Sequence, residues 1–245
     1  MHGLDVRFIA YWFIGIIFVI VVATNASRSV LKRRRTKALA AVAREIGFEL
    51  REDNWLKVGA WNQPPVANQM STALFLTGMN RRFNNIMTGT AAALQVSLFD
   101  YSTSGKSAST QTVAAYTQKL SLPFFEMQPG GFVWRAADAL FHQNINFDSH
   151  PNFWRQYAVR GLPVGSVQQQ DNHLKIQELF STALLTFLAE LPPKSKWNIE
   201  GAGPTLVIYR TRATVRADEL HSFLDESSSI ASAFFNLCGL KKSAA

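Results

Sequence analysis

Asp148-Ser149-His150-Pro151 is the cluster in this chain whose residue types could do acid–base chemistry. A carboxylate beside an imidazole orients the ring for proton transfer. Asp100 is a second carboxylate that would serve His150 if the fold brought their two turns together. Asp and Ser before a proline are also ordinary turn residues, because their side chains bond to nearby backbone N–H groups. A structural turn is the preferred reading of 148–151, with the site as its competitor.

Other motifs fall short of their chemistry. Gly105-Lys106-Ser107 ends like a phosphate-binding loop, but Asp100 stands where the first glycine is needed, and a strand pattern follows where a helix should. Gly201-Ala202-Gly203 has Leu206 at the third glycine position of a dinucleotide loop and no β-α-β unit around it. Both read as hairpin turns. His2, His142, His150, His173 and His221 show no metal-ligand spacing, and no Gly-x-Ser-x-Gly elbow exists. The single cysteine, Cys238, excludes an intramolecular disulfide and any multi-cysteine metal site, and reads as a small core residue of the last helix. The expectation is no metal, no cofactor, and no catalytic candidates beyond Asp148, His150 and Asp100.

The elements that would carry these residues begin with an apolar run. Phe8–Ser27 holds no charged residue, and as a helix it spans about 30 Å, the thickness of a bilayer's hydrocarbon. Arg28, Lys32, Arg33, Arg34, Arg35 and Lys37 follow, with no acid until Glu45. Positive residues stay on the cytoplasmic side, so the N-terminus is expected outside and the rest in the cytoplasm. These six bases are the expected membrane-interface residues, either simply solvated beside the headgroups or recognising anionic lipid. A cleaved signal peptide is one alternative, with Thr24 and Ala26 as small residues at a cleavage site, but the basic run downstream would resist translocation, and a buried soluble helix is the other. Residues 1–37 carry seven bases and one acid, whereas the remaining 208 are nearly balanced. Nucleic acid is therefore not expected as a partner, because phosphate binding needs a concentrated basic face.

Apolar residues make up 47% of the 245, enough for a real core. Leu39, Val42, Ala43 and Ile46 recur at helical spacing before Gly47. Trp55 and Trp61 precede Asn62-Gln63-Pro64-Pro65, which stops any helix, and Val66–Leu76 reads as a second one. Strands are expected at Phe83–Thr88, Leu94–Tyr101, Gln111–Lys119 and Pro123–Gln128, with a glycine turn at Gly89 and a polar turn at Asp100–Ser109. Pro129-Gly130-Gly131 breaks the chain, and Phe132–Phe141 suits a helix. Ile145–Phe147 and Phe153–Val159 read as two short strands around a turn. Ile176–Leu191 fits one amphipathic helix, with Ser181-Thr182 able to cap a second inside it. Trp197–Glu200 and Leu206–Tyr209 read as a hairpin around Gly201–Pro204, and Ala217–Leu237 as the last helix. The order helix, strand, glycine turn, strand thus occurs twice, as a common α+β habit or a faint repeat.

The series Leu98-Phe99-Asp100-Tyr101, Gln111-Thr112-Val113-Ala114, Leu122-Pro123-x-Phe125, Phe147-Asp148-Ser149-His150-Pro151-x-Phe153 and Tyr157-x-x-Arg160-Gly161 resembles a family of uncharacterised bacterial single-pass membrane proteins with a domain of unknown function. The likeness covers most of Glu45–Leu237. It implies the same topology and a single α+β cytoplasmic domain, and it brings no catalytic residue.

The expected fold is α+β: one N-terminal transmembrane helix, then a mainly antiparallel-sheet domain with about four helices. Residues 1–7 form a short external end, 8–27 the transmembrane helix, 28–47 a basic juxtamembrane segment and helix, 48–240 the cytoplasmic domain, and 241–245 a tail. Two lobes, if present, would divide near 161–175. The expected location is the bacterial inner membrane. The expected function is a non-enzymatic protein-binding or sensing module, its partners the bilayer and a membrane or cytoplasmic protein. The alternatives are an enzyme using His150 with Asp148 or Asp100, and an anionic-lipid surface adaptor.

Overall fold

The computed structural model describes residues 6–51, 72–76, 79–105, 108–130, 145–163 and 165–242. Helix α1 (Val6–Glu45) takes in the apolar run, the basic run and the first domain helix without a break. It is long and apolar enough to cross a membrane. Gly47, at φ +73°, turns the chain where a side chain would be strained, and Phe48 then enters the core.

The domain is α+β. Strands β1 (Glu49–Leu50), β2 (Met79–Ala91), β3 (Leu94–Ser104), β4 (Thr110–Pro129), β5 (Tyr157–Arg160) and β6 (Trp197–Arg210) form one antiparallel sheet. The order is β1-β2-β3-β4-β5, with β6 on the other side of β4. Helix α2 (Ala73–Leu76) lies against one face. On the other lie α1, α4 (Gln169–Leu179), α5 (Thr182–Glu190) and α6 (Leu220–Lys242), with α3 (Pro151–Gln156) leading into β5.

Alternation along the strands sorts the two faces. Leu94, Val96 and Leu98 join the large core beneath the helices, where Phe125 stacks on Phe234 and meets Phe180 edge-on. Phe99, Tyr101, Val113, Ala115 and Val207 point the other way, into a smaller core closed by Phe75 of α2. The large core draws on residues from Leu39 to Phe235 and so runs past 161–175 on both sides. Tyr116 ties the last helix down, its buried hydroxyl 2.7 Å from Ser227 Oγ.

Several elements depart from the sequence expectation. Trp197–Glu200 and Leu206–Tyr209 are not a hairpin but one strand, β6, paired with β4 along its length. Gly201 is there for space: a Cβ would come within 2.2 Å of the Phe125 ring. Gln111–Lys119 and Pro123–Gln128 are likewise one strand, and Pro123 sits among register shifts between Thr117 and Phe125, where the ladder is already interrupted. Asp100 lies inside β3, not in a turn. The β2–β3 turn is Ala92-Ala93, both at positive φ, while Gly89 sits within β2 under Phe48. Phe153–Val159 begins as helix α3, with Pro151 at its first position and strand only from Tyr157. Ile176–Leu191 is two helices broken at Phe180-Ser181, where Ser181 occupies the N-cap without a side-chain bond. The second half of the supposed repeat thus lacks its turn. Residues 66–71 of the second helix, Trp55, Trp61, Asn62–Pro65, Phe132–Phe141, Lys106-Ser107, His2, His142 and the Cys238 side chain fall outside the described residues.

The long β4–β6 ribbon curls. Gln111 and Gln128 would stand about 55 Å apart on a straight strand. Both line one cleft of about 420 Å³, together with Leu74, Asn198 and Tyr209. The register shifts and the tightly packed Gly201 lie between them.

Candidate functional site

Three places hold polar groups in unusual surroundings. The first joins α1 to the sheet. Arg35 leaves the helix on the same side as Leu39 and Ala43, four and eight residues on, both buried. Its Nε and Nη2 donate to the two oxygens of Asp100 at 2.9 and 2.8 Å, and Nη1 donates to the Val215 carbonyl at 2.7 Å. Asn85 Nδ2 and Thr112 Oγ1 fill the remaining sites on Asp100 at 2.7 and 2.8 Å. Thr112 Oγ1 in turn accepts from the Val215 N–H, and Thr36 Oγ1 donates to Asn85. This forked pair is nearly dry on the Asp100 side, 7% exposed against 26% for Arg35. Fork-to-fork geometry fixes direction as well as distance, so it sets the angle at which α1 meets the domain.

The second lies on the opposite face. Glu200 is buried and accepts the Tyr209 hydroxyl at 2.6 Å and the Leu74 N–H at 2.7 Å. Tyr101 donates its hydroxyl to the Leu74 carbonyl, so both backbone polar atoms of that residue are held. Glu126 stands across the ladder from Glu200. Burial pushes the Glu200 carboxyl up to about 7, against the pull of its two hydrogen bonds. The same burial and the acid beside it raise Tyr209 far above an ordinary phenol. The Tyr209 phenol and the Leu74 backbone N–H that bond to Glu200 are both neutral. The group thus acts as a latch holding α2 on the sheet.

The third is the turn before α3. His150 occupies the N-cap of α3, and its Nδ1 lies 2.8 Å from Ser149 Oγ. A cleft of about 280 Å³ beside it is lined by Thr186, Ala189 and Glu190. Asp148 is exposed, and no ion pair or hydrogen bond joins it to His150 among the described residues.

The structure therefore gives Asp100 to Arg35 and not to His150. Of the six expected interface bases, Lys32, Arg33, Arg34 and Lys37 are exposed along α1, while Arg35 is taken into the clamp. The side chain of Arg28 is not among those described. No group of three or more His, Cys, Asp or Glu could hold a metal among the described residues. Sequence reasoning missed Arg35, Asn85 and Thr112 as partners of Asp100, and missed the Glu200 latch. The signal for Arg35 was its spacing from Leu39 and Ala43. Glu200 carried none, since its acidity is hidden in what looks like a hairpin arm.

Fold and clamp define an α+β domain locked to a helix that is long and apolar enough to cross a membrane. The solved structure of the mycobacterial trehalose monomycolate transport factor A shares this fold, with a TM-score of 0.52 at 11% identity over 83% of this chain and 92% of that one. No protein-family model matches the chain, and no curated protein matches it.

Proposed function

We propose that this protein is a non-enzymatic module, tethered by α1 to the bacterial inner membrane, whose domain lies on the cytoplasmic face and binds a protein partner there. The observation that carries this reading is the clamp. One helix runs from the apolar segment into the core, and Arg35 locks it to Asp100 where the basic run meets the domain. An anchor joined this rigidly presents a fixed surface at a fixed height above the bilayer, which is useful for docking. The reading also has the support of the fold shared with a protein named as a transport factor. A role beside the transport of an envelope lipid is the finer form of it, and membership of the uncharacterised bacterial single-pass family fits the same picture.

The test is crosslinking in intact membranes followed by capture of the full chain. A specific membrane or cytoplasmic protein is expected. It should be diminished by Arg35→Ala and retained by His150→Ala and Asp148→Ala. No specific partner, or loss of function with His150→Ala in a stable protein, would overturn the proposal. Paired reporters fused after Ala245, one active only in the cytoplasm and one only outside, test the orientation. A cytoplasmic signal with the N-terminus retained is expected.

A further inference from the structure

We infer that the end of the sheet beside the clamp is a second membrane-facing surface, on which Arg82 and Arg212 meet anionic lipid headgroups. The inference rests on the anchoring role of α1 proposed above, and it concerns the domain's own residues.

The argument begins with direction. Thr36 bonds to Asn85 at 2.7 Å, and Phe48 covers Gly89. From Thr36 to Glu45 the helix rises about 14 Å. From Asn85 to Gly89 strand β2 advances by a similar length, about 14 Å. Contacts at both ends and equal lengths between mean that α1 runs alongside β2 in the same direction. Residues of β2 before Asn85 therefore point back along α1, toward the apolar segment. The β3 residues after Asp100, and Thr110 at the start of β4, follow from the register: Asn84 pairs with Asp100, Arg82 with Ser102, and Ser102 with Thr110.

Depth follows next. Arg28 is the first base after the uncharged run, and Arg35 stands about 10 Å further along the helix. Arg82 is two residues nearer the membrane than Asn84, about 7 Å. The row Arg82–Ser102–Thr110 thus falls at the headgroup layer, which is about 5–7 Å thick on each side of the hydrocarbon. Arg82 alternates onto the face of Asp100, which is the face α1 covers, and it is exposed. Loop 211–216 joins this end, because Thr112 N–H donates to the Ala213 carbonyl and Arg212 N–H to Gln111 Oε1. The Arg212 side chain is exposed. The nearby acids are engaged, Asp100 by Arg35 and Asp218 by Arg216. With Lys32, Arg33 and Arg34 on α1, the rim is a positive surface held flat against a bilayer that carries negative charge on its cytoplasmic leaflet.

The experiment uses the full chain with Cys238→Ser, carrying one fluorescent label at Thr110→Cys or, as a distal control, at Ala93→Cys in the β2–β3 turn. Each is reconstituted in vesicles of phosphatidylcholine alone or with part replaced by phosphatidylglycerol, with a headgroup-attached quencher. Quenching at position 110 should exceed that at 93 several-fold in the anionic vesicles. It should fall toward the control value on Arg82→Glu with Arg212→Glu, and this difference between the reversed and unreversed chains should shrink at high salt and in the vesicles of phosphatidylcholine alone. Equal quenching at the two positions would overturn the inference. So would a charge reversal that changes nothing in anionic vesicles, which would leave the two arginines to an acidic protein partner instead. Flotation of the same samples separates this from the anchor: a chain that fails to float removes both readings, and one that floats with equal quenching removes only the rim.

Discussion

Asp100 accepts four hydrogen bonds, filling the sites a carboxylate offers. Asp100→Asn keeps the size but turns one oxygen into a donor and strands the guanidinium. The expected cost is about 2–3 kcal/mol, below the usual penalty for breaking a buried pair because Arg35 keeps some water. Thermal melting in detergent reads it, and Arg35→Lys should not escape it, since an ammonium cannot make the fork. Glu200 behaves differently. The unfolded carboxyl titrates near 4.5 and the folded one near 7, so the folded protein holds a proton that the unfolded chain has released. This contribution is complete below about pH 4.5 and is lost as pH rises to about 7, a change of about 3 kcal/mol. Glu200→Gln should flatten the melting temperature across that window. The Tyr209 hydroxyl can turn to accept from the new amide, so the variant remains folded. At this scale the sequence marked Asp100 as notable and sought its partner in the wrong place. A histidine in another turn looked like chemistry, whereas an arginine within a run of bases looked like solvent-facing charge. Only its four-residue spacing from Leu39 set it apart.

Strand β6 shows why elements were harder to read than their existence. Gly201-Ala202-Gly203-Pro204 has every mark of a turn, because glycine and proline do punctuate hairpins. Here glycine answers a need for room against Phe125, a long-range fact that no local pattern carries. Gly201→Ala should cost about 1–3 kcal/mol through overpacking. Melting of the variant checks this, and Phe125→Leu in the same background should recover part of the loss. The opposite error occurred at Ala92-Ala93, a tight turn without a turn residue. Long periodic segments were legible: the end of α1 from Leu39, β3 from Leu94, and the last helix. The short ones, α3 and the break at Phe180, depended on packing of Phe147, Phe153 and Phe180 with one another, which joins residues distant in sequence.

For the whole molecule, one continuous helix carries both the apolar run and the residues that enter the core. Arg34→Pro would break α1 one residue before the clamp, at about 3 kcal/mol to the helix interior. On the proposed anchoring by α1, the chain should still float with vesicles, since the apolar run is untouched. The domain should lose its fixed height, read as a limited-proteolysis site opening within 30–38 in membranes. The α+β class and the long apolar helix were legible in the sequence because composition and period report them directly. Their rigid joint was not, because Arg35 reaches 65 residues ahead for Asp100 and 180 ahead for Val215. That separation bears on biosynthesis. A ribosome completes the apolar helix early, then must add nearly the whole domain before the Val215 carbonyl exists. Until then Arg35 of that helix has no Val215 carbonyl to close on. Contacts so far apart in sequence form late. The first helix to be made is among the last to be fastened, and only a nearly finished polypeptide can hold it at its final angle.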